Sequence, residues 1–331
     1  MAPQTKKPAK RRRPAAKKTA RNKKSFSGIF LKTFVGLFLL LCVGMAGYVF
    51  GYKSGKSEHA DALHAQKQRN AELNDALKEA RRQTASHEYE KVLPQPPKRD
   101  KEPTVPPGGI QEEKPMLAII FDDVSFAHDV KNIKALNLPV TMSFLPPSKR
   151  HPDSAKLAAE EPFYMVHFPL EAVSFSGEEP DTLHVGDSEE RMDERVRQIK
   201  ALFPKVQFVN NHTGSKFTAD KASMEKLIYA LDREGMTFVD SRTTSETAVP
   251  ALMQSLHRPY ISRDVFLDHD PDVEEVKKEV RRAVKIAKKY GYAVAIGHPH
   301  KKTLRGVAES KDVLSQVDLV QIDTLVAHMK K

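Results

Sequence analysis

The sequence contains no tryptophan and a single cysteine, and aromatic residues make up only 7% of its 331 residues. Because the one cysteine, Cys42, has no partner in the chain, an intramolecular disulfide is excluded, and cysteine usage does not indicate a redox compartment. The absence of tryptophan excludes a sugar-binding platform built on indole rings. Any contact with a sugar would use Tyr, Phe or hydrogen bonds.

The first 24 residues contain no acidic side chain, although they carry eleven of the 54 Lys and Arg residues. Because the whole chain has 43 Asp and Glu residues, basic and acidic side chains are equal in number after residue 24. The formal net charge of +11 therefore belongs to the N-terminal tail. A neutral body without a recognisable nucleic-acid-binding motif indicates no nucleic acid partner.

An uncharged segment of nineteen residues follows this tail at 34–52. With a rise of ~1.5 Å per residue, a helix of this length nearly spans a bilayer core of ~30 Å. The positive-inside rule keeps the basic tail, residues 1–27, in the cytoplasm. The sequence therefore predicts a single-pass anchor at 28–52 in the cytoplasmic (inner) membrane, with the remainder of the chain outside the cytoplasm. A cleaved signal peptide, with a small-x-small cleavage site at Gly44 to Ala46, is the alternative.

Two segments separate the predicted anchor from the rest of the chain. Residues 53–92 are rich in helix-forming residues, which predicts a solvated helical stalk. Its apolar stripe consists of Leu63, Leu73 and Leu77, so a weak coiled-coil homodimer through the stalk stays open. Residues 93–115 are rich in proline and charge, which is typical of a semi-rigid linker. These segments would hold a domain away from the membrane.

From residue 116 to 331, short apolar or β-branched runs alternate with amphipathic helical patterns, such as those at 188–203 and 271–291. This alternation predicts an α/β domain with a mainly parallel sheet, arranged as a closed or incomplete barrel or as a doubly wound sheet. Eight strand and helix units of this length favour the barrel. The predicted strands are 117–124, 140–146, 163–170, 207–212, 236–242, 261–268, 292–298 and 317–323.

Reactive side chains recur at the ends of five predicted strands. Taken singly, Asp123 or Asp240 could cap the next helix, and a lone histidine is usually a hydrogen-bonded filler. In a parallel α/β fold, however, the carboxyl ends of all strands open on one face, so residues distant in sequence meet there. Two histidines and an aspartate at this face suit zinc or a similar divalent ion. The five ends carry Asp122 and Asp123, His167, Asn210 to His212, Asp240, and His298.

The most specific segment is 209–218, "VNNHTGSKFT", which places a histidine, two amides and a glycine turn at one strand end. An ordinary Asn/Gly turn is the alternative interpretation. Five further histidines fall in predicted loops, and two of them, His151 and His184, follow strands on the active face and could line a substrate groove. The other three loop histidines are His128, His257 and His269.

In this order, the motifs "FDD", "VHFPLE", "NNHTGSKFT", "FVDSRT", "FLD" and "GHPHKKTL" resemble the divergent polysaccharide deacetylase family. That family is related to the metal-dependent carbohydrate esterases, which remove acetyl groups from glycans. The resemblance covers residues 116–326 and implies a distorted (β/α)7–8 barrel. It also implies a divalent metal centre, most readily zinc, and an acetylated glycan as the substrate.

The resemblance also assigns roles to residues. It implies that Asp123, His167 and His212 hold the metal ion. Asp122 would be the general base, and His298 would protonate the leaving group. The remaining roles are supporting ones. Asp240 would orient His298. The turn containing Asn210, Asn211, Gly214 and Ser215 would stabilise an oxyanion, and Arg242, Arg263 and Asp268 would position the base.

The sequence thus predicts a membrane-anchored, metal-dependent hydrolase that removes acetyl groups from a cell-envelope glycan. A non-catalytic envelope protein that keeps the fold and binds glycan, or acts as a scaffold, is the alternative. A phosphoesterase fits less well, because the strand-end motifs contain few Lys or Arg side chains that could neutralise a phosphate. Arg242 and Arg263 are the exceptions. Metal content and the effect of Asp122→Asn would separate the first two hypotheses.

Overall fold

The computed structural model describes residues 36, 38–48, 66, 67, 69 and 114–329. Residues 38–48 are helical. Within the described residues, no helix combines the length and the apolar character needed to cross a membrane. The predicted basic tail lies outside the described residues, as do most of the predicted anchor, stalk and linker.

The region 114–329 contains eight strands, and every pair of neighbouring strands is parallel. The order across the sheet is β5-β4-β3-β2-β1-β7-β6, and β8 pairs with the first residues of β1. This arrangement confirms the predicted parallel β/α class. The strands are β1 (Met116–Val124), β2 (Thr141–Phe144), β3 (Met165–Leu170), β4 (Phe208–Thr213), β5 (Thr237–Val239), β6 (Val265–Phe266), β7 (Tyr292–Gly297) and β8 (Asp318–Val320).

Helices connect the strands, and local sequence signals set the bounds of the longest ones. Ser188 accepts a hydrogen bond from the main chain of Arg191 and begins α3, and Asp272 does the same for Glu274 at the start of α6. Gly291, with φ +84°, ends α6. The helices of this region are α1 (Ala127–Lys134), α2 (Ser154–Ala159), α3 (Glu189–Leu202), α4 (Lys221–Arg233), α5 (Val249–Ser255), α6 (Val273–Tyr290), α7 (Lys301–Ala308), α8 (Lys311–Leu314) and α9 (Ile322–Met329).

The sheet forms a parallel half-barrel, which agrees with the incomplete, distorted barrel that the sequence predicts. Its edge strands β5 and β6 have three and two residues, and one bridge between Asp240 and Ser262 links the segments beside them. The strands predicted at 236–242 and 261–268 are therefore shorter than expected. Arg242 has a φ of +52°, a conformation incompatible with an extended strand, so β5 cannot continue through it.

The two faces of β1 pack into different cores. On β1, Leu117 and Ile119 join the larger cluster, which also contains residues of the surrounding helices. Ala118 and Ile120 join a smaller cluster that includes residues of α9. Because side chains two apart share a face of a strand, Asp122 continues the face of Ala118 and Ile120. We call this face of the sheet the inner face. Along β1 its side chains change from apolar to polar toward the carboxyl end of the strand.

The contact between α6 and α7 depends on a glycine. A Cβ added at Gly306 would lie 2.6 Å from Cγ1 and 2.7 Å from Cβ of Val276, and 3.1 Å from the carbonyl oxygen of Val273. We expect Gly306→Ala to lower the free energy of unfolding by about 1–3 kcal/mol, because overpacking outweighs the better helix propensity of alanine. Urea unfolding of the two proteins measures this difference.

Gly177→Ala is the matched control, because its added Cβ would come no closer than 3.4 Å to a neighbouring atom. We expect this variant to unfold at nearly the urea concentration of the wild type. Equal unfolding midpoints for Gly306→Ala and the wild type would contradict the close packing of α6 against α7.

Candidate metal centre

The inner face carries the polar residues of the site, and each stands two positions after an apolar residue of the smaller core cluster. His212 follows Asn210 by a further two positions on β4. The predicted convergence of these strands on one site is observed, although His167 is the third residue of β3 and not its last. The pairs are Ile120 and Asp122, Met165 and His167, Phe208 and Asn210, and Ile296 and His298.

Strict alternation along β1 would send the adjacent Asp122 and Asp123 to opposite faces. Asp123 has a φ of +58°, and the pairing of β1 with β2 shifts register between Phe121 and Val124. This irregularity lets both carboxylates contact the same group of histidines. Thr213, the last residue of β4, and Arg242, three residues after β5, also have positive φ values of +54° and +52°. Strained backbone of this kind, at about 1–3 kcal/mol per residue, often clusters at functional sites.

Three imidazole rings surround the carboxylate of Asp123. Its Oδ1 lies 3.0 Å from Nδ1 of His212 and 3.4 Å from Nε2 of His167. Its Oδ2 lies 3.7 Å from Nε2 of His298. Burial opposes the charge on Asp123, but His212 and then His298 hold its pKa far below the usual range. Asp123 is therefore ionised at neutral pH.

Asp122 is buried and is held by an amide. Nδ2 of Asn210 lies 2.9 Å from both carboxylate oxygens and donates to them. The amide is fixed in turn, because Ser143 donates to its Oδ1 at 2.6 Å and its Nδ2 also reaches Oγ of Ser241 at 2.9 Å. Burial raises the pKa of Asp122 to about 7, against the opposing effects of His298 and the hydrogen bonds of Asn210. Asp122 can therefore exchange a proton near neutral pH.

His298 is held by Asp268. Oδ1 of Asp268 lies 3.2 Å from Nδ1 of His298, while Oδ2 accepts from the main-chain N–H of His298 at 2.7 Å and from Thr303 at 2.8 Å. Burial opposes protonation of His298, but Asp268 and then Asp123 raise its pKa to about 10. The imidazole is thus protonated at neutral pH, with Nε2 directed toward Asp123.

The prediction that Asp240 orients His298 is wrong, and so is the placement of Asp268 beside the base. The buried Asp240 accepts hydrogen bonds from the main chain of Arg242, from Thr247 and from Tyr260, at 2.8–2.9 Å. The strand order explains the difference. Asp268 follows β6, which lies next to β7 and His298, whereas Asp240 follows β5 at the other edge of the sheet.

One of the two predicted arginines, Arg263, supports the main chain of the site. Arg263 donates from Nε to the carbonyl of Ser241 at 2.6 Å and from Nη2 to the carbonyl of Arg242 at 2.8 Å. Ser241 contacts Asn210, so Arg263 acts on Asp122 through Ser241 and Asn210. Arg242 itself has a positive φ, two residues after Asp240.

Side-chain hydrogen bonds hold the predicted oxyanion turn at the end of β4 in place. Nδ2 of Asn211 donates to the carbonyl of Thr213 at 2.6 Å, and Oδ1 of Asn211 accepts from the main chain of Ser241 at 2.8 Å. Gly214 has a φ of +94°, and a Cβ there would lie 3.0 Å from Cβ of Leu170, so glycine is required. Ser215 accepts from the main chain of Val173 at 3.0 Å. The turn therefore joins β4 to the loop after β3.

The donors around Asp123 fit a divalent ion. Oδ1 of Asp123 and both ring nitrogens of His167 are buried, and none of these atoms makes a hydrogen bond to a described residue. Burial lowers the pKa of His167 to about 3, which leaves the neutral ring that binds metals. Two ligand atoms bound at ~2.0–2.2 Å to one ion lie roughly 3–3.5 Å from each other. Oδ1 of Asp123 lies at such distances from Nε2 of His167 and Nδ1 of His212.

Atoms of Asp123, His167 and His212 all lie within 4.8 Å of one another. A second group with this spacing, Asp268, His298 and His300, already uses Asp268 to hold His298. The first group is therefore the better candidate metal site.

Sequence reasoning missed the hydroxyl groups that support the site. Ser143 and Ser241 fix Asn210, and Thr303 supports Asp268. Ser143 did leave a signal, because it is a polar residue at an inward position of the buried strand β2. Ser241 and Thr303 lie outside the strands and left no comparable pattern.

Comparison with known proteins places this geometry in a family. The sequence model of the family described as divergent polysaccharide deacetylase matches residues 119–326. The uncharacterized protein YibQ of Escherichia coli K12 is 30% identical over 191 residues, which cover 57% of this chain and 60% of that protein. An uncharacterized protein of Haemophilus influenzae Rd is 29% identical over 192 residues, which cover 57% of this chain and 68% of that protein. The chain thus matches less than two thirds of the length of the Escherichia coli relative.

A solved structure has the same fold. The crystal structure of an uncharacterized protein from Agrobacterium tumefaciens C58 gives a TM-score of 0.57 at 19% identity and covers 66% of this chain and 92% of that chain. The family match extends over more than half of the chain and includes every residue of the site from Asp122 to His298. The chain therefore belongs to the divergent polysaccharide deacetylase family.

Proposed function

We propose that this protein is a metal-dependent hydrolase that removes acetyl groups from a cell-envelope glycan. One observation carries the proposal: a buried carboxyl group and a buried, protonated imidazole both adjoin the candidate metal ligand Asp123. Asp122 precedes it in the chain, and Nε2 of His298 lies 3.7 Å from its Oδ2. A site that only binds glycan has no need of a base and an acid in this arrangement. Family membership supports the same reaction class.

Asp123, His167 and His212 would hold the divalent ion. One carboxylate and two imidazoles form a ligand set typical of zinc in hydrolases, which leaves positions for water and substrate. When bound, such an ion polarises a carbonyl group and makes water more acidic. His167 is also close to Asp122, with 3.6 Å between Nδ1 and Oδ2, so the proposed ligands and the proposed base form one packed unit.

Asp122 would act as the general base. It would take the proton of the water molecule that attacks the acetyl carbonyl. A pKa near 7 suits this role, because a base works best when its pKa is close to the operating pH. The two hydrogen bonds from Asn210 fix the orientation of the carboxylate.

His298 would act as the general acid. Its proton would pass to the nitrogen or oxygen atom that leaves the acetyl group. Asp268 keeps the ring protonated and fixes its orientation through Nδ1, so that Nε2 is the donor. Stabilisation of the oxyanion by main-chain N–H groups of the turn from Asn210 to Ser215 stays a prediction.

We also propose that the chain is anchored in the cytoplasmic membrane through residues 28–52, with the deacetylase domain outside the cytoplasm. The basic tail before residue 25 and the uncharged run at 34–52 support this topology. A glycan of the cell envelope would be within reach of a domain carried on the stalk and the linker.

The first prediction concerns metal content. We expect purified full-length protein, stripped with EDTA and supplied with zinc, to retain about one zinc ion per chain. Asp123→Asn and His167→Ala should lose it, because each removes one of three ligands. His184→Ala, which removes a histidine paired with Glu178 outside the centre, should retain it. Elemental mass spectrometry gives the ratio, and full zinc retention by both ligand variants would contradict the site.

The second prediction concerns turnover. We expect wild-type protein to release acetate from N- or O-acetylated glycan, and Asp122→Asn and His298→Gln each to lower kcat by about 10²–10⁴-fold. Both variants should keep their zinc, and His257→Gln, at an exposed histidine after α5, should match the wild type. Glycan binding and bound zinc without acetate release from any acetylated glycan would favour the non-catalytic alternative.

The third prediction concerns the anchor. In bacterial cells that produce the protein, we expect the full-length chain to stay with the membranes after carbonate extraction. Deletion of residues 28–52 should release it. Recovery of the full-length chain in the carbonate-soluble fraction would contradict anchoring without affecting the proposed chemistry.

A further inference from the structure

A second group of potential metal ligands lies beside the first, in the segments that follow β6 and β7. It consists of Asp268, His298 and His300, whose ligand atoms all lie within 4.8 Å of one another. Because β6 and β7 are neighbours in the sheet, the two segments emerge side by side. Asp268 and His298 have roles in the proposed mechanism, whereas His300 has none.

The carboxylate of Asp268 is oriented so that one oxygen can bind a metal ion. Its Oδ2 accepts from the main-chain N–H of His298 at 2.7 Å and from Thr303 at 2.8 Å. Hydrogen bonds of this kind commonly fix the carboxylate ligands of metal ions. Oδ1 faces Nδ1 of His298 at 3.2 Å, which lies within the roughly 3–3.5 Å that separates two atoms bound to one zinc ion.

His300 adds a second imidazole to this pair. Pro299 separates it from His298, and the two rings stack with their centroids 5.5 Å apart and 25° between their planes. His300 is exposed, whereas Asp268 and His298 are buried. An exposed side chain can change its rotamer, so His300 can bring a ring nitrogen to an ion that enters from solvent.

The donor atoms of this group determine which ion it binds and how tightly. Two imidazoles and one carboxylate oxygen suit zinc or a similar transition-metal ion, whereas magnesium and calcium prefer oxygen ligands. An ion between Oδ1 of Asp268 and Nδ1 of His298 must displace the proton that these atoms share. In the first group, the ring nitrogens of His167 make no hydrogen bond to a described residue. The second group therefore binds zinc more weakly than the first.

We propose that Asp268, His298 and His300 bind a second, weaker zinc ion and that this ion inhibits the hydrolase. The ion takes the place of the proton on Nδ1 of His298, and that proton passes to solvent. The ring then keeps one proton, on Nε2, and a neutral imidazole does not release this proton near neutral pH. Zinc binding rests on the three residues alone, whereas inhibition rests on the proposed function, in which His298 is the general acid.

The test of binding is a calorimetric titration with zinc chloride of full-length protein that already holds one equivalent of zinc. We expect a second ion to bind with release of about one proton, which titrations in two buffers of different ionisation enthalpy detect. His300→Ser should weaken this second event at least tenfold. Serine is a poor zinc ligand but a good N-cap, the position that His300 holds in α7. Magnesium chloride should give no second event, and gel filtration should remove the second zinc ion but not the first.

His269→Ser is the matched control. His269 is exposed and follows Asp268 directly in the chain, but it belongs to neither ligand group of the described residues. This variant should bind the second ion as the wild type does, and thermal unfolding checks that both variants are folded. Absence of a second event in the wild type, or an equal second event in the wild type and in His300→Ser, would overturn the proposal.

Acetate release at rising free zinc tests the inhibition and separates it from the proposed function. We expect the rate of the wild type to fall about tenfold as the second ion binds, and His300→Ser to need at least tenfold more zinc for the same loss. A rate that the second ion leaves unchanged would overturn the inhibitory role and keep the hydrolase. A second ion that depends on His300, without acetate release at any zinc concentration, would support the second site and reject the hydrolase.

Discussion

The structure is organised around the charge of Asp123. A carboxylate in contact with three imidazoles, next to a second buried carboxylate, is stable only if positive charge is close by. His298 supplies part of that charge, because Asp268 keeps its ring protonated. The neutral His167 supplies none. The two adjacent carboxylates and the lone pairs of the rings therefore favour a bound cation. The ion would offset the repulsion between Asp122 and Asp123.

Simple rules of strand geometry place the residues that share this constraint. Apolar residues fill the inner face of β1, β3, β4 and β7, and a polar residue follows two positions later. The rule fails at Asp123, where a positive φ and a register shift add a second carboxylate to the same side. The strain there is local, and the hydrogen bonds around Asn210, Ser241 and Asp268 keep the neighbouring groups in place.

Much of the fold and part of the site could be predicted from the sequence. Buried strands such as β3, β4 and β7 and amphipathic helices such as α3 and α6 have strong periodic patterns, so their positions follow from local sequence. The convergence of Asp122, His167, His212 and His298 follows from the parallel sheet alone. The short edge strands could not be predicted, because tertiary contacts and not the pattern end β5 and β6. The choice between Asp240 and Asp268 as the partner of His298 depends on strand order, which the sequence of elements does not reveal.

X-ray absorption at the zinc edge tests the central claim most directly, that Asp123, His167 and His212 together hold the metal ion. The spectrum of full-length protein with one equivalent of zinc should fit two imidazole nitrogens and additional oxygen ligands at about 2.0–2.2 Å. One imidazole should be missing from the spectrum of His167→Ala under the same conditions. A shell with a sulfur ligand at about 2.3 Å, or one that His167→Ala leaves unchanged, would contradict the account.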